Sequence, residues 1–514
     1  MRTKRIISAG RSLVAAAVMA AAAALGAPGA QAQAKSSVSI GVVNDFAGWN
    51  PYADSTAQMY MIWCQTYGCL GTFDTRTGDY EGILAERWEV SKDNPNEWTF
   101  YLKKGIKRHN DGKELTAEDV IHSLWRNKND PRTAQANNTR PVTEAIAVDK
   151  YTVKFITSQP TAPLLAFLFD RLIITGKDLY KKYGQDVDRK APWGYGPYQV
   201  KDIVVGQRMV LEKNEAWPGI KKENPDRLIF RRIKEDEARV TALFNGELQM
   251  AQFIPPHLVD RVKSAPGVTL KSTSPVEVMF LAMNPNFKPW DNKKVRQAVA
   301  YAINREAIVK AIFRGGAEVL HGPIGPGQYG YSPDVEPKYA YNPEKAKQLL
   351  KEAGYPDGVE IDFYTATNRY INDRQSSEAI VPMLQAVGFK VRFHTPEYSS
   401  HWPLVRKGKR PFYYQGRGSV IDPSAMLVQY FGTEGTPRIG YSNPKLDALL
   451  EAQEREFDSA KRQALLLEAF NIVQEEVPAF FLWRIQQHYG ISNRIEFTPM
   501  ATDRVYGLDI LVKN

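Results

Sequence analysis

The residues best placed to do chemistry are arginines held on adaptable backbone. In "YYQGRGSVIDPSAM", residues 413–426, Arg417 stands between Gly416 and Gly418, with Asp422-Pro423 close behind. A guanidinium offers a planar fork of N–H donors that matches a carboxylate or a phosphate. Arg417 is therefore either a grip for an anion or one more solvated charge. Aromatic residues recur in turn-rich stretches: Trp49 and Tyr52 in "NDFAGWNPY", Trp193 and Tyr195, Trp290, and Trp402. Small-molecule pockets use such apolar walls with a few placed polar groups. Taken singly, each of these rings is core packing more readily than a wall.

Reactive constellations are missing. The chain has no H-E-x-x-H, no G-x-S-x-G and no P-loop. "GPGQYG" (325–330) formally matches G-x-G-x-x-G, but it follows no strand, opens no helix and contains Pro326, so it reads as a loop. Seven histidines are scattered, and even His394 and His401 are not spaced as metal ligands on a helix. The expectation is a protein without catalytic residues, metal or cofactor. Two cysteines, Cys64 and Cys69, stand five apart in "WCQTYGCLGTFD". In an oxidising compartment they either close a disulfide or remain two buried thiols.

The compartment follows from the first 34 residues. Arg2, Lys4, Arg5 and Arg11 precede an apolar run from Leu13 to Leu25, and "GAPGAQAQA" then offers small-residue cleavage sites. That order is a secretory signal peptide. The run is shorter than the roughly 20 residues a bilayer span needs. Its removal takes four positive charges from the net +10 and leaves a mild +6, not the concentrated charge of a nucleic-acid binder. The remaining chain exceeds what one core organises, so two or three folding units are expected. Hydrophobic residues, 43% of the total, supply ample core.

The elements that must position these residues alternate. Strands are expected at 38–43, 98–102, 151–156, 208–213 and 228–233, with Trp98, Phe100 and Leu102 sharing one face. Thr116 and Asp119 are spaced as a capping box at a helix start. A helix from Asp236 should break at Asn245-Gly246. In "YNPEKAKQLLKEAGYPDG", Asn342 caps, Pro343 takes the first helical position and Gly354 follows the end. Strands at 360–364 and 390–394 flank a helix near 375–387, which gives a right-handed strand–helix–strand crossover.

In linear order the chain resembles the family 5 extracellular solute-binding proteins of ABC importers, the peptide and nickel group. The carriers are "LAERWEVSKDNPNEWTFYLKKGIKRHNDGKELTAEDVIHSL" (84–124), "GYGPYQV" followed by "NEAWPG", "NKKVRQAVAYAINREAIV", "YNPEKAKQLLKEAGYPDG", "GYSNPKLDALLEAQE" and "EEVPAFFLW". The resemblance implies an α/β, two-lobed periplasmic-binding-protein fold of type II, cluster C-like, with a double hinge. Residues 35–272 and 486–514 would form the first lobe, with an extra subdomain at about 76–190, and 273–485 the second. "EVMFLAMN" (277–284) would be one crossing strand and the segment after Trp483 the other.

The same resemblance implies a site. Residues Tyr414 to Ser419, Gln415 and Arg417 among them, would reach ligand at the end of the strand before Asp422-Pro423, a pair read as helix cap and first position. Peptide-binding branches pair an aspartate with the peptide's amino group three positions before that aspartate; here the position holds Ser419. "TNRYIND" (367–373) resembles the loop that clamps a peptide carboxylate, which points to Arg369, and Trp402 falls near an aromatic wall. Trp49 and Tyr52 would face ligand from the first lobe. Two arginines with no matching acid imply an anionic solute: a small peptide held differently, an opine-like or glutathione-like conjugate, or a phosphorylated sugar. The expected protein is a monomeric periplasmic receptor that delivers its solute to membrane permease subunits. Nickel or metal-chelate uptake is the alternative within the family. An exported hydrolase would need a nucleophile–base pair that is not found.

Overall fold

The computed structural model describes residues 36–513 except 44, 45, 47, 54–56, 135, 170, 368, 419 and 436. The signal-peptide expectation over 1–34 and the reading of Ser419 lie outside the described residues. No helix among the described residues is long and apolar enough to cross a membrane.

Two large sheets organise the chain. The seven-stranded sheet runs in the order 268–273, 487–492, 250–251, 37–42, 227–232, 208–213, 198–204. The six-stranded sheet runs 317–319, 479–485, 278–283, 412–417, 359–364, 389–394. Its central strands, "VMFLAM" at 278–283 and "AFFLWRI" at 479–485, are buried at every position. A continuous apolar run is what a strand needs when both of its faces are covered. By contrast "EWTFYL" (97–102) buries every second residue, Trp98, Phe100 and Leu102. It belongs to an antiparallel four-stranded sheet ordered 85–90, 97–102, 152–157, 142–149.

The chain leaves the first sheet after Thr273, enters the second at Val278, and returns between Ile485 and Gln487. Of the segment expected to cross, 277–284, residues 278–283 lie within the six-stranded sheet, with every side chain buried. The passage is confined to 274–277.

Local signals match their elements. The Asp119 carboxylate accepts the Thr116 N–H at 3.1 Å. Asn342 Oδ1 accepts the Lys345 N–H at 2.9 Å, and Gly354 takes a left-handed φ of 91° beyond the helix Pro343–Glu352. Strands 359–364 and 389–394 pair in parallel around the helix Asp373–Ala386. Cys64 and Cys69 are both buried and bonded through their sulfurs, with Cα atoms 5.1 Å apart.

One contact joins the four-stranded part to the helix Pro444–Arg455. The Ala162 N–H donates to Glu454 O at 2.7 Å, Arg455 Nε donates to Gln159 Oε1 at 3.0 Å, and Phe457 lies 6.1 Å from the Trp98 ring.

Candidate functional site

The two passages and the strand ends beside them enclose a cavity of about 780 Å³. The strand Phe412–Arg417 shows how it is built. Tyr413 and Tyr414 point to opposite faces of a sheet that is covered on both, and each is buried in a separate core. Only at the strand's end do side chains emerge, and Gln415, Gly416, Arg417 and Gly418 all line the cavity. Gly416 is required by packing: a Cβ there would come within 2.5 Å of the Tyr370 ring and 2.8 Å of Met279 Sδ. That space lets the Tyr370 hydroxyl donate to Gly416 O at 3.0 Å, while Gln415 Nε2 donates to the Tyr370 hydroxyl at 2.7 Å.

Antiparallel register sets what faces this end. Val278 pairs with Arg417, so Glu277 comes opposite Gly418; an added Cβ there would lie 3.5 Å from Glu277 Oε1. Glu277 lines the cavity together with Asp503 and Gln487. This corrects the expectation of arginines with no matching acid. The carboxylates come from the passage segment and the C-terminal return, neither adjacent in sequence to an arginine of the site.

Arg369 is oriented by its loop. Asp373 Oδ2 accepts the N–H groups of Arg369 and Tyr370 at 2.8 and 2.9 Å, with Asn372 at a left-handed φ of 53°. The guanidinium lies over two rings, 4.9 Å from the Tyr370 centroid and 5.1 Å from that of Tyr398. Such stacking favours a cation and costs little further ordering. Burial works against the Arg369 charge, yet the two phenols and the Glu277 carboxylate hold its pKa above the ordinary value.

The acids respond in the opposite sense. Burial raises Glu277 against the pull of Arg369. Asp503 is pushed up to about 7, by burial first and then by the charge of Glu277. The cavity's acid corner thus holds a proton near neutrality.

Arg417 has different company. Its Nη1 donates to Gly418 O at 3.1 Å, its Nε has no acceptor among the described residues, and no described carboxylate lies within ion-pair distance. Burial pushes it down to about 10 against the pull of the Tyr430 phenol, and Arg171 and Arg438 add like-charge repulsion. Arg438, only 8% exposed, lies over the rings of Tyr430 at 4.8 Å and Trp402 at 5.0 Å. Trp402 in turn stacks on Tyr398 at 5.8 Å, which makes one aromatic wall.

Three of the expected residues stand apart from the cavity lining. Tyr52 is fully buried, and its hydroxyl donates to Ile173 O at 2.7 Å. Trp49 packs against the core beside the seven-stranded sheet and does not line the cavity. Tyr414 lies under the strand, in the core. Asp422, read as a cap, does accept the Ser424 N–H at 2.9 Å, but it is chiefly clamped by Arg462, whose Nη1 and Nη2 reach it at 2.7 and 2.8 Å.

The model of bacterial extracellular solute-binding proteins, family 5, matches residues 79–438. The chain belongs to this family. As a family 5 protein it is a solute-binding component of the ABC-importer type, and the α/β fold is that of periplasmic binding proteins. Over 467 residues it is 29% identical to the dipeptide-binding protein of Escherichia coli, covering 85% of this chain and 86% of that one. It is 28% identical to heme-binding protein A of Haemophilus influenzae over 484 residues, covering 87% of each. Among solved structures, a periplasmic binding protein from Helicobacter pylori in complex with the peptide STSA superposes with a TM-score of 0.84 at 24% identity, covering 93% of this chain and 99% of that one. A binding protein from A. tumefaciens in complex with mannopinic acid superposes at 0.81 with 25% identity, covering 94% and 100%. This family 5 protein therefore shares its fold with receptors whose bound solutes differ widely.

Proposed function

We propose that the protein is an exported, monomeric periplasmic receptor that closes two lobes on a small peptide or a related anionic metabolite bearing an amino group, delivers it to a membrane permease, and catalyses no reaction. The observation that carries this reading is the cavity of about 780 Å³, lined by basic, acidic and aromatic groups from segments spread along the chain. The first lobe takes 35–272, with a subdomain at about 76–190, and 486–514; the second takes 273–485. The passages at 274–277 and Gln486 act as hinges. Solute binding shifts the open–closed equilibrium through its stronger contacts in the closed form.

Arg369, Arg417, Gln415 and Trp402 contact the solute. Glu277 and Asp503 supply the carboxylates that Ser419 lacks, so an ammonium sits near the hinges and not at position 419. Binding proteins for dipeptide, glutathione and mannopinic acid among the relatives support a solute of this chemical type.

Native mass spectrometry of undenatured, exported protein tests the reading, followed by small-angle scattering with the retained solute. A retained amino-bearing anion that reduces the radius of gyration supports it. Turnover of that solute, or a solute set that never closes the molecule, overturns it.

A further inference from the structure

Two sets stand out among the charged groups that line the cavity. One holds Arg369 with Glu277 and Asp503, and its charges compensate one another. The other gathers Arg417 and Arg438, with no described carboxylate within ion-pair distance of either. Arg171 stands on the same wall, its guanidinium 4.9 Å from the Tyr60 ring. Tyr60 and Tyr430 both act on Arg417, and these phenols carry Arg171 and Arg438 respectively. The three guanidiniums therefore converge on one side of the cavity.

Arg438 is more than nine-tenths buried, and its Nε has no acceptor among the described residues. It cannot swing away to solvent cheaply, because the rings of Trp402 and Tyr430 hold it and its backbone carbonyl accepts the Tyr413 hydroxyl at 3.0 Å. A buried donor left unmet costs free energy that a ligand acceptor recovers.

We propose that Arg171, Arg417 and Arg438 form an anion subsite for a doubly charged group, either a phosphomonoester or two neighbouring carboxylates. The inference rests on the receptor reading and deepens it by naming the charge of the solute. A single carboxylate has two oxygens and one charge; it does not match both Arg417 and Arg438. A dianion offers acceptors to Arg417 and Arg438 at once and neutralises their mutual repulsion. Arg171 belongs to the first part of the chain and the other two to the second, so the dianion also bridges the proposed lobes.

The test uses the whole mature protein with inorganic phosphate, succinate, acetate and chloride at matched ionic strength, read by thermal midpoint. A ligand that binds only the folded state raises that midpoint in a saturable way. Phosphate or succinate should raise it above acetate and chloride, and which of the two acts identifies the source of the charge. Arg417→Gln should weaken that effect at least ~10-fold, as loss of a charge-assisted pair implies. Arg438→Gln should do likewise, and Arg438→Lys keeps the charge should the glutamine variant not fold. Equal effects of all four anions, or an unchanged phosphate and succinate response in Arg417→Gln, overturn the proposal. A retained solute of single negative charge that closes the molecule overturns the dianion alone and leaves the receptor reading intact.

Discussion

At the scale of single residues, the acid corner predicts a pH dependence. Asp503 holds its proton more tightly folded, to about pH 7, than an unfolded aspartate does near 4. The stability it contributes is therefore complete below about pH 4 and is lost as pH rises through about 7. Asp503→Asn should flatten that slope and raise stability at pH 8 by on the order of 1–2 kcal/mol, allowing for solvent in the cavity. Urea unfolding at pH 5 and pH 8 measures it, and an unchanged slope would sink the assignment. Tyr52 gives a complementary expectation. Tyr52→Phe removes the bond to Ile173 O and should cost about 1 kcal/mol. Because the ring lies outside the cavity, solute affinity should stay the same by calorimetry; a weakened affinity would return Tyr52 to the site.

At the scale of elements, the strand Phe412–Arg417 and the helix after it are held by two features that sequence displayed only in part. Gly416→Ala should cost about 1–3 kcal/mol, since its Cβ must push back Tyr370 or Met279. The displaced Tyr370 should also disturb Arg369 and weaken solute binding, seen as a joint loss in denaturation and titration. The Asp422–Arg462 pair is buried on both sides, with side chains 7% and 6% exposed. Asp422→Ala strands a buried guanidinium and should cost about 3–5 kcal/mol in chemical denaturation. A cost below about 1 kcal/mol, the range of an ordinary helix cap, would return Asp422 to capping alone.

Elements were the most legible part of the sequence, and the reason is local. Alternation at Trp98, Phe100 and Leu102, the cap at Asn342 and the break at Gly354 depend on neighbours within a few residues. Tyr414, which lies in the core, shows the limit. An apolar strand end buried between two helical layers and one facing a cleft carry the same residue types. Arg438 carried no local signal and Glu277 only a faint one, because antiparallel register sets Glu277 beside the end of the Arg417 strand. The one sequence clue to Glu277 was its place immediately before an all-apolar strand, where a charge has to lie at the edge of the sheet.

At the scale of the whole molecule, the fold was readable from the order of several short segments, whereas the cavity's charge layout needed the three-dimensional arrangement. The contact of Gln159 and Ala162 with Glu454 and Arg455 is outside the cavity lining, yet the lobe assignment proposed above puts its two sides on different lobes. On that assignment the contact would form only when the lobes approach, and would add to the closed state without touching solute. Its consequence is one of timing. Arg455→Ala should leave solute association nearly unchanged and hasten release, because the change falls on the state that must reopen. Glu454 is pushed up to about 7 by burial, so the group beside this contact changes charge near neutrality. How long a loaded receptor waits for its permease would then be set partly by residues that no solute ever meets.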